Sequence, residues 1–458
     1  MRPRTALLLF AAAAVASAVV LLWERRLPGT DERREQEGRL VPYLAVEDVS
    51  RIEIERPSGR LVLERAGEDW RLREPVDDRA DSWEVEALLR DLIEAHVRTR
   101  VPAGEIKGGD EATGLGGAAP QVTLVAGSRR FVLRVGTVAA PGRVRYVRVA
   151  GDDRLAVVDE AVARAVERPA ESLRDRDLFH FSTLDMKAIR VEKNGRTLFE
   201  LAKRDSGRWW LTSPVEDEAD QSTASRIAGA LAALRAERFV DDPGADSVLA
   251  APEWVVTIDH GSSEGPEVLA IGGARSGGEA RYAKVTGRPA PFELRAEDLI
   301  EDLASGAEKL RSRLALDFVP YEVRSVTLER DGRRVVVERN AGEYEPARKW
   351  VCREPDGFDL APEKVDPWLD GLSGIAIVRF VDDAGRAGAA FEEPLARIAL
   401  TLGDRDGRSL ELIVGGETDG GLFARRPDRP QPFVIEEKAR SLLDAERLHR
   451  GPDGETGD

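Results

Sequence analysis

Alternating apolar and polar positions recur in three similar stretches, VSRIEIERPSGRLVLER, MKAIRVEKNGRTLFELAKR and VRSVTLERDGRRVVVER, and each predicts a β-hairpin. The turn chemistry agrees. Asn194-Gly195 and Asp331-Gly332 supply the positive φ that tight hairpin turns need, and Pro57-Ser58-Gly59 does the same in a longer loop. A tryptophan follows each hairpin: Trp70 in DWRLREPV, Trp210 in RWWLTSPV and Trp350 in KWVCREPD, each 140 residues after the one before. A proline stands four or five residues further on in every copy, at Pro75, Pro214 and Pro355.

The period then changes from strand-like to helical. From Asp81 to about Val97 the chain opens with an Asp81-x-x-Glu84 capping box and places Val85, Leu88, Leu89, Leu92, Ile93 and His96 on one face. Counterparts begin near Asp220 (Ala224, Ile227, Leu231, Leu234) and near Pro362 (Val365, Trp368, Leu369, Leu372), with Pro367 weakening the third. A second hairpin block follows, PQVTLVAGSRRFVLRVG, PEWVVTIDHGSSEGPEVLAIGG and PLARIALTLGDRDGRSLELIVGG, each opening on proline and closing on glycine. Next come the short strands around Tyr146, Tyr282 and Phe423 and an acid- and alanine-rich helix. The first two copies close with LRDRDLFHF and LRSRLALDF, the third with LLDAERLHR.

This repetition sets the domain organisation. Residues 40–181, 182–318 and 319–450 form three modules, each large enough for its own core, and 451–458 is an expected disordered tail. Ahead of them, Ala6 to Trp23 is apolar except for Ser17 and would reach across most of a bilayer core of about 30 Å as a helix. Small-residue sites at Ala14-Val15-Ala16 and Ala16-Ser17-Ala18 leave a cleaved signal peptide as the competing reading, but the apolar run continues past both. Residues 1–27 are therefore expected to be a membrane anchor and 28–39 a polar linker. Arg2 and Arg4 before the segment balance Arg25 and Arg26 after it, so orientation rests on the long body, which is expected to lie outside the cytoplasm after a single pass through the membrane. The expected fold class is α+β, an N-terminal transmembrane helix followed by three tandem repeats of a β-hairpin/helix module with mainly antiparallel sheets.

Composition removes several function classes. Among 458 residues there are 68 Lys+Arg against 84 Asp+Glu, a net charge of −16 that disfavours nucleic acid as a partner. One cysteine, Cys352, and four histidines provide neither a disulfide framework nor a cysteine or histidine zinc site. The arginines, spread along the whole chain, read as compositional bias rather than as ligands.

The sequence from Val49 to Leu92, with its V-x-x-I-x-I-x-R, L-V-L-E-R and W-R-L-x-E-P-V phrases and its A-L-L-x-x-L helix, resembles the bacterial domain of unknown function numbered 4340. The other two copies repeat the pattern, so the resemblance extends over nearly all the chain after Arg39. It implies a membrane-anchored envelope protein, of a kind commonly encoded beside ABC-type transporter permeases and gliding-motility auxiliary proteins, and it brings no catalytic residues with it. Cys352 and Pro367 are departures in the third copy.

Candidate chemistry is sparse. Asp241-Asp242 and Asp382-Asp383, each in an RFVDD phrase, suggest paired carboxylates, but the first copy has Arg98-Thr99-Arg100-Val101-Pro102 there, and turn formation explains the acids. Gly108 to Gly117 (GGDEATGLGG) lacks the context of a phosphate loop and reads as a flexible loop. Asp404-x-Asp406-Gly407 lacks the remaining ligands of a calcium loop, and Glu216, Asp217, Glu218 and Asp220 read as an exposed helix start. His96, His180, His260 and His449 belong to no catalytic motif. The tryptophans fit core anchors, with a sugar-binding groove as the alternative. The sequence thus assigns no catalytic, metal or cofactor residue. It points to a non-enzymatic, extracytoplasmic scaffold or adaptor accessory to an ABC-type complex, with permease or auxiliary subunits as partners. An envelope polysaccharide- or peptide-binding protein, and then a hydrolase, are the alternatives.

Overall fold

The structure, a computed structural model, describes residues 36–137, 143–240, 243–263, 265–274, 280–340, 350–381, 388–403, 407–429 and 431–450. The first sheet contains β1 (Arg51–Arg56), β2 (Gly59–Ala66), β3 (Asp69–Glu74), β4 (Asp78–Ala80), β5 (Val97–Pro102), β6 (Gln121–Ala126), β7 (Arg129–Val135), β8 (Val144–Val149) and β9 (Arg154–Asp159). Its order is β4-β3-β2-β1-β6-β7-β8-β9-β5. The second contains β10 (Ala188–Lys193), β11 (Arg196–Lys203), β12 (Trp209–Ser213), β13 (Asp217–Glu218), β14 (Arg238–Phe239), β15 (Trp254–Asp259), β16 (Glu267–Ala274), β17 (Arg281–Val285) and β18 (Phe292–Leu294), in the equivalent order. The third contains β19 (Val323–Arg330), β20 (Arg333–Arg339), β21 (Trp350–Glu354), β22 (Ile377–Phe380), β23 (Ala396–Leu402), β24 (Ser409–Thr418), β25 (Gly421–Arg425) and β26 (Phe433–Ile435). It has eight strands, because no partner of β21 corresponds to β4 or β13 among the described residues.

Each sheet is two antiparallel meanders fused along one seam. The first strand of the module pairs with the first strand of the second block, as in Ile52 with Leu124 and Ile54 with Val122. Without that seam, each hairpin would leave a strand edge open. Alternation then sets which face is buried: Ile52 and Ile54, Ile189 and Val191, and Val326 and Leu328 all point into a core. The three largest cores among the described residues lie one under each sheet, drawn from residues 40–173, 178–310 and 315–448. By compactness the chain divides into two units, Met1–Asp177 with Gly287–Ala290, and Leu178–Thr286 with Pro291–Asp458.

A helix covers each sheet. Ser82–Ile93 buries Val85, Leu88, Leu89, Leu92 and Ile93, and Asp81 caps it by accepting from the N–H groups of Trp83 and Glu84. It stops before the expected Val97, since Val97, Thr99 and Val101 are β-branched and begin β5; His96 is exposed rather than on the buried stripe. Gln221–Ala232 buries Ala224, Ile227, Ala228 and Leu231. Pro362–Ser373 runs through Pro367, held by the buried stripe Val365, Trp368, Leu369 and Leu372.

The expected fold class is therefore corrected. The protein is mostly antiparallel sheet, because the hairpin blocks merge through their central seam instead of remaining small hairpin/helix modules. The described residues contain no transmembrane helix: none of their helices is long and apolar enough to cross a membrane. The expected anchor, 1–27, lies outside the described residues, as do most of the linker and the tail 451–458. The end of the linker is tied down rather than free, since Arg39 bridges His96, and Leu40, which follows, donates to the Ala95 carbonyl at 2.8 Å.

The equivalence of the tryptophans is also corrected. Leu72 pairs with Asp78 and Leu211 with Asp217, so Trp70 corresponds to Trp209, not Trp210. Trp70, Trp209 and Trp350 each stand five residues before a cis proline (Pro75, Pro214, Pro355) and are 2%, 3% and 2% exposed. A cation lies over each ring, Arg65 at 4.8 Å, Lys203 at 5.0 Å and Arg339 at 4.4 Å. Trp210 points to the opposite face of its strand, under Arg204.

Candidate functional site

Charged groups are rare inside proteins unless paired, so the buried ones mark the places where this fold has committed polar chemistry. In the second unit β13 carries Asp217, fully buried, and Glu218, 2% exposed. The Asp217 carboxylate accepts from Nε and Nη2 of Arg311 at 2.8 and 2.6 Å. It also accepts from Nε and Nη2 of Arg429 at 2.7 and 3.0 Å. Arg429 donates further to the carbonyls of Ser312 and Leu314. The neighbouring Glu218 accepts from Arg208 at 2.9 Å and from Arg426 at 3.0 Å, and Arg426 forks onto Asp428. Phe380 lies under this cluster, 3.3 Å from the guanidinium of Arg311.

The segments follow from local sequence. Arg311 comes from the closing phrase LRSRLALDF, where a bridge between Ala219 and Arg311 holds it beside β13. Arg426 and Arg429 come from the turn between β25 and β26. The node therefore joins the second sheet to the third inside one compact unit. Burial draws the Arg426 guanidinium down, but Asp428 and Glu218 outweigh it and hold its pKa above the ordinary value. Burial likewise pushes the Asp428 carboxyl up, and the hydrogen bond and charge of Arg426 overcome that and hold it below the usual carboxylate range.

The first unit repeats the arrangement. Asp78, 1% exposed, stands three residues after Pro75 as Asp217 stands three after Pro214. It accepts from Arg174 at 2.9 and 2.6 Å and from Arg288 at 3.1 Å. Arg174 is held by the bridge to Ala80, and Arg288 also donates to the Asp175 carbonyl at 2.7 Å. Burial lowers the Arg288 pKa against the pull of Asp78.

In the third module the same two positions hold other residues. Phe358 stands three after Pro355, and His449, bridged to Leu360, takes the place of the arginine. Their rings meet edge to face at 5.4 Å.

The residues singled out in sequence are distributed differently. Of the four acids read as an exposed helix start, only Glu216 is exposed and bound to a surface arginine, Arg204. Asp217 and Glu218 form the buried node, and Asp220 caps its helix by accepting from the Thr223 N–H at 2.7 Å. The segment read as a flexible loop contains a short helix, Gly109–Thr113, packed so closely that a Cβ on Gly136 would stand 2.2 Å from the Thr113 carbonyl oxygen. Asp241-Asp242, Asp382-Asp383, Asp404 and Asp406 lie outside the described residues, while Arg98–Pro102 runs within β5. His260 stacks on Phe181 at 4.7 Å, and the described residues contain no group of three His, Cys, Asp or Glu able to hold a metal. Trp70, Trp209 and Trp350 are core residues, buried from solvent.

Sequence reasoning missed the arginines by treating them as bias. The signal was the alignment itself: Leu-Arg opens both closing phrases, at Leu173-Arg174 and Leu310-Arg311, and Arg-Pro recurs at Arg288-Pro289 and Arg429-Pro430.

The family model described as a domain of unknown function, DUF4340, matches residues 70–252 and again 209–349. The two matches begin on Trp70 and Trp209, the same register that the strand pairing sets. None of the curated proteins matches the chain. Together the two family matches take in more than half of its length, and the chain belongs to the DUF4340 family.

Proposed function

We propose that the protein is a non-enzymatic scaffold or adaptor on the extracytoplasmic side of the bacterial inner membrane, an accessory component of an ABC-type, gliding-motility-like transport complex. One observation carries the scaffold reading. The acids that recur between modules, Asp78 and Asp217, are each saturated by two guanidinium groups and closed off from solvent, so they cannot reach a substrate. What was duplicated is a joint between segments rather than a reacting centre. The transporter part of the proposal draws on the family resemblance. Burial of Trp70, Trp209 and Trp350 removes the aromatic groove on which an envelope-polymer reading would have drawn.

In-cell crosslinking of the full-length protein, followed by purification from membranes and mass spectrometry with an unrelated envelope protein as control, tests this. Near-equal recovery of a permease or its auxiliary subunits is the expected result. If no membrane protein exceeds the control, the adaptor reading is overturned.

A further inference from the structure

The third module departs from the other two where the acid–arginine node would stand, and there it borders a cleft of about 900 Å³. The wall includes Phe358 and His449, the positional counterparts of Asp217 and Arg311, with Asp356, Asp444 and the turn between β19 and β20. The arginines of that turn are engaged: Arg330 with Asp331, Arg333 with Glu446, and Arg334 with Glu329 and Glu354. Asp356 and Asp444 are exposed and have no ion-pair partner among the described residues. Asp444 accepts from the N–H of Glu446 at 3.0 Å. The uncompensated charge of the cleft is thus negative, beside an aromatic ring that is only half-buried.

The completed nodes show what such a position receives. Asp78 receives Arg288 and Asp217 receives Arg429, each an arginine followed in sequence by proline. Guanidinium groups at the Asp217 node also lie over aromatic rings, Arg311 over Phe380 at 3.3 Å and Arg429 over Phe433 at 5.5 Å.

We propose that this cleft docks an arginine-bearing β-turn of a different protein, with the guanidinium over Phe358 and within reach of Asp356 and Asp444. The site continues the series of joints beyond the last module, and its charge is complementary to the incoming turn. A second copy of this chain is the wrong occupant. The turn that would reach it, between β8 and β9, carries Asp152 where the later modules carry Arg288 and Arg429, and that carboxylate is already paired with Arg154 and Arg100, so this position offers no guanidinium to Asp356 and Asp444. Lacking that arginine, a second copy does not complete the cleft, which acts against head-to-tail filaments.

This inference deepens the scaffold reading and rests on it, and its test needs no transporter. The probe is a cyclised hairpin peptide copying Gly421–Ile435, titrated into the full-length protein by calorimetry beside a second peptide copying Val144–Asp159. The first peptide is expected to bind and the second not. Asp356→Asn combined with Asp444→Asn is expected to weaken binding about tenfold, and Phe358→Ala to weaken it independently. Asparagine keeps the Asp444 capping bond, so unchanged thermal unfolding of the double variant separates docking from folding. Failure of the first peptide to bind, equal binding to wild type and variants, or equal binding of the second peptide would each overturn the proposal. Self-association in sedimentation velocity that the double variant abolishes would overturn it in favour of a second copy. Loss of the permease in crosslinking with these results intact would remove the transporter reading alone.

Discussion

Asp217 and Arg429 are 212 positions apart in sequence, yet the carboxylate and guanidinium meet at 2.7 Å in a site from which both are fully withdrawn from water. A buried pair of this kind contributes little against a well-packed apolar replacement, but removing one partner strands the other. Its value to the fold is positional: it sets where the turn between β25 and β26 comes to rest.

The tryptophan register gives a first prediction. Trp209→Ala removes a large ring from the second core and should destabilise by about 3–5 kcal/mol. Trp210→Ala, on the opposite face against Arg204, should cost clearly less. Guanidinium denaturation of the two variants checks this, and the reverse order would restore the 140-residue equivalence that sequence spacing suggested.

Two glycines should respond oppositely to the same substitution. Gly136→Ala puts a methyl 2.2 Å from the Thr113 carbonyl and should cost about 1–3 kcal/mol by forcing the short helix away. Gly229→Ala lies within the helix Gln221–Ala232, where a Cβ meets nothing within 4 Å, and should stabilise by about 0.5–1 kcal/mol. Thermal unfolding of the pair is the measurement.

Acid should loosen the second unit. Burial raises the Asp220 carboxyl, but the Ser222 hydroxyl and the Thr223 N–H outweigh it, and Asp428 is held down by Arg426; both carboxyls have folded pKa values below their ordinary range. Groups depressed on folding contribute stability that is complete above the unfolded pKa, about 4, and lost as pH falls through the folded values. Stability should therefore be flat near neutrality and decline below about pH 4. The Asp428→Asn variant should show a shallower decline in a pH series of urea melts.

Much of this architecture was legible because apolar alternation and helical stripes are local. Ile52, Ile54, Val85, Leu88 and Val365 were placed on their buried faces by period alone, and turn residues such as Asn194 and Asp331 adopt the positive φ that their type favours. The seam between Ile54 and Val122 was not legible, since pairing across 68 positions leaves no local pattern. The node escaped for a related reason. Asp217 and Glu218 look like a solvated helix start until Arg311 and Arg429 arrive from far along the chain to satisfy the first, and Arg208 and Arg426 to satisfy the second. The doublet Trp209-Trp210 misled because both residues fit a spacing that differs by one, and only strand register decides which ring faces the core.

The central claim is that the recurring acids join segments of the fold. A double-mutant cycle on Asp217→Ala and Arg429→Ala, read by chemical denaturation of the full-length protein, tests it most directly. The account predicts that each single variant loses about 3–5 kcal/mol and that the two couple by about 2 kcal/mol or more. Additive losses, with a coupling near zero, would contradict it.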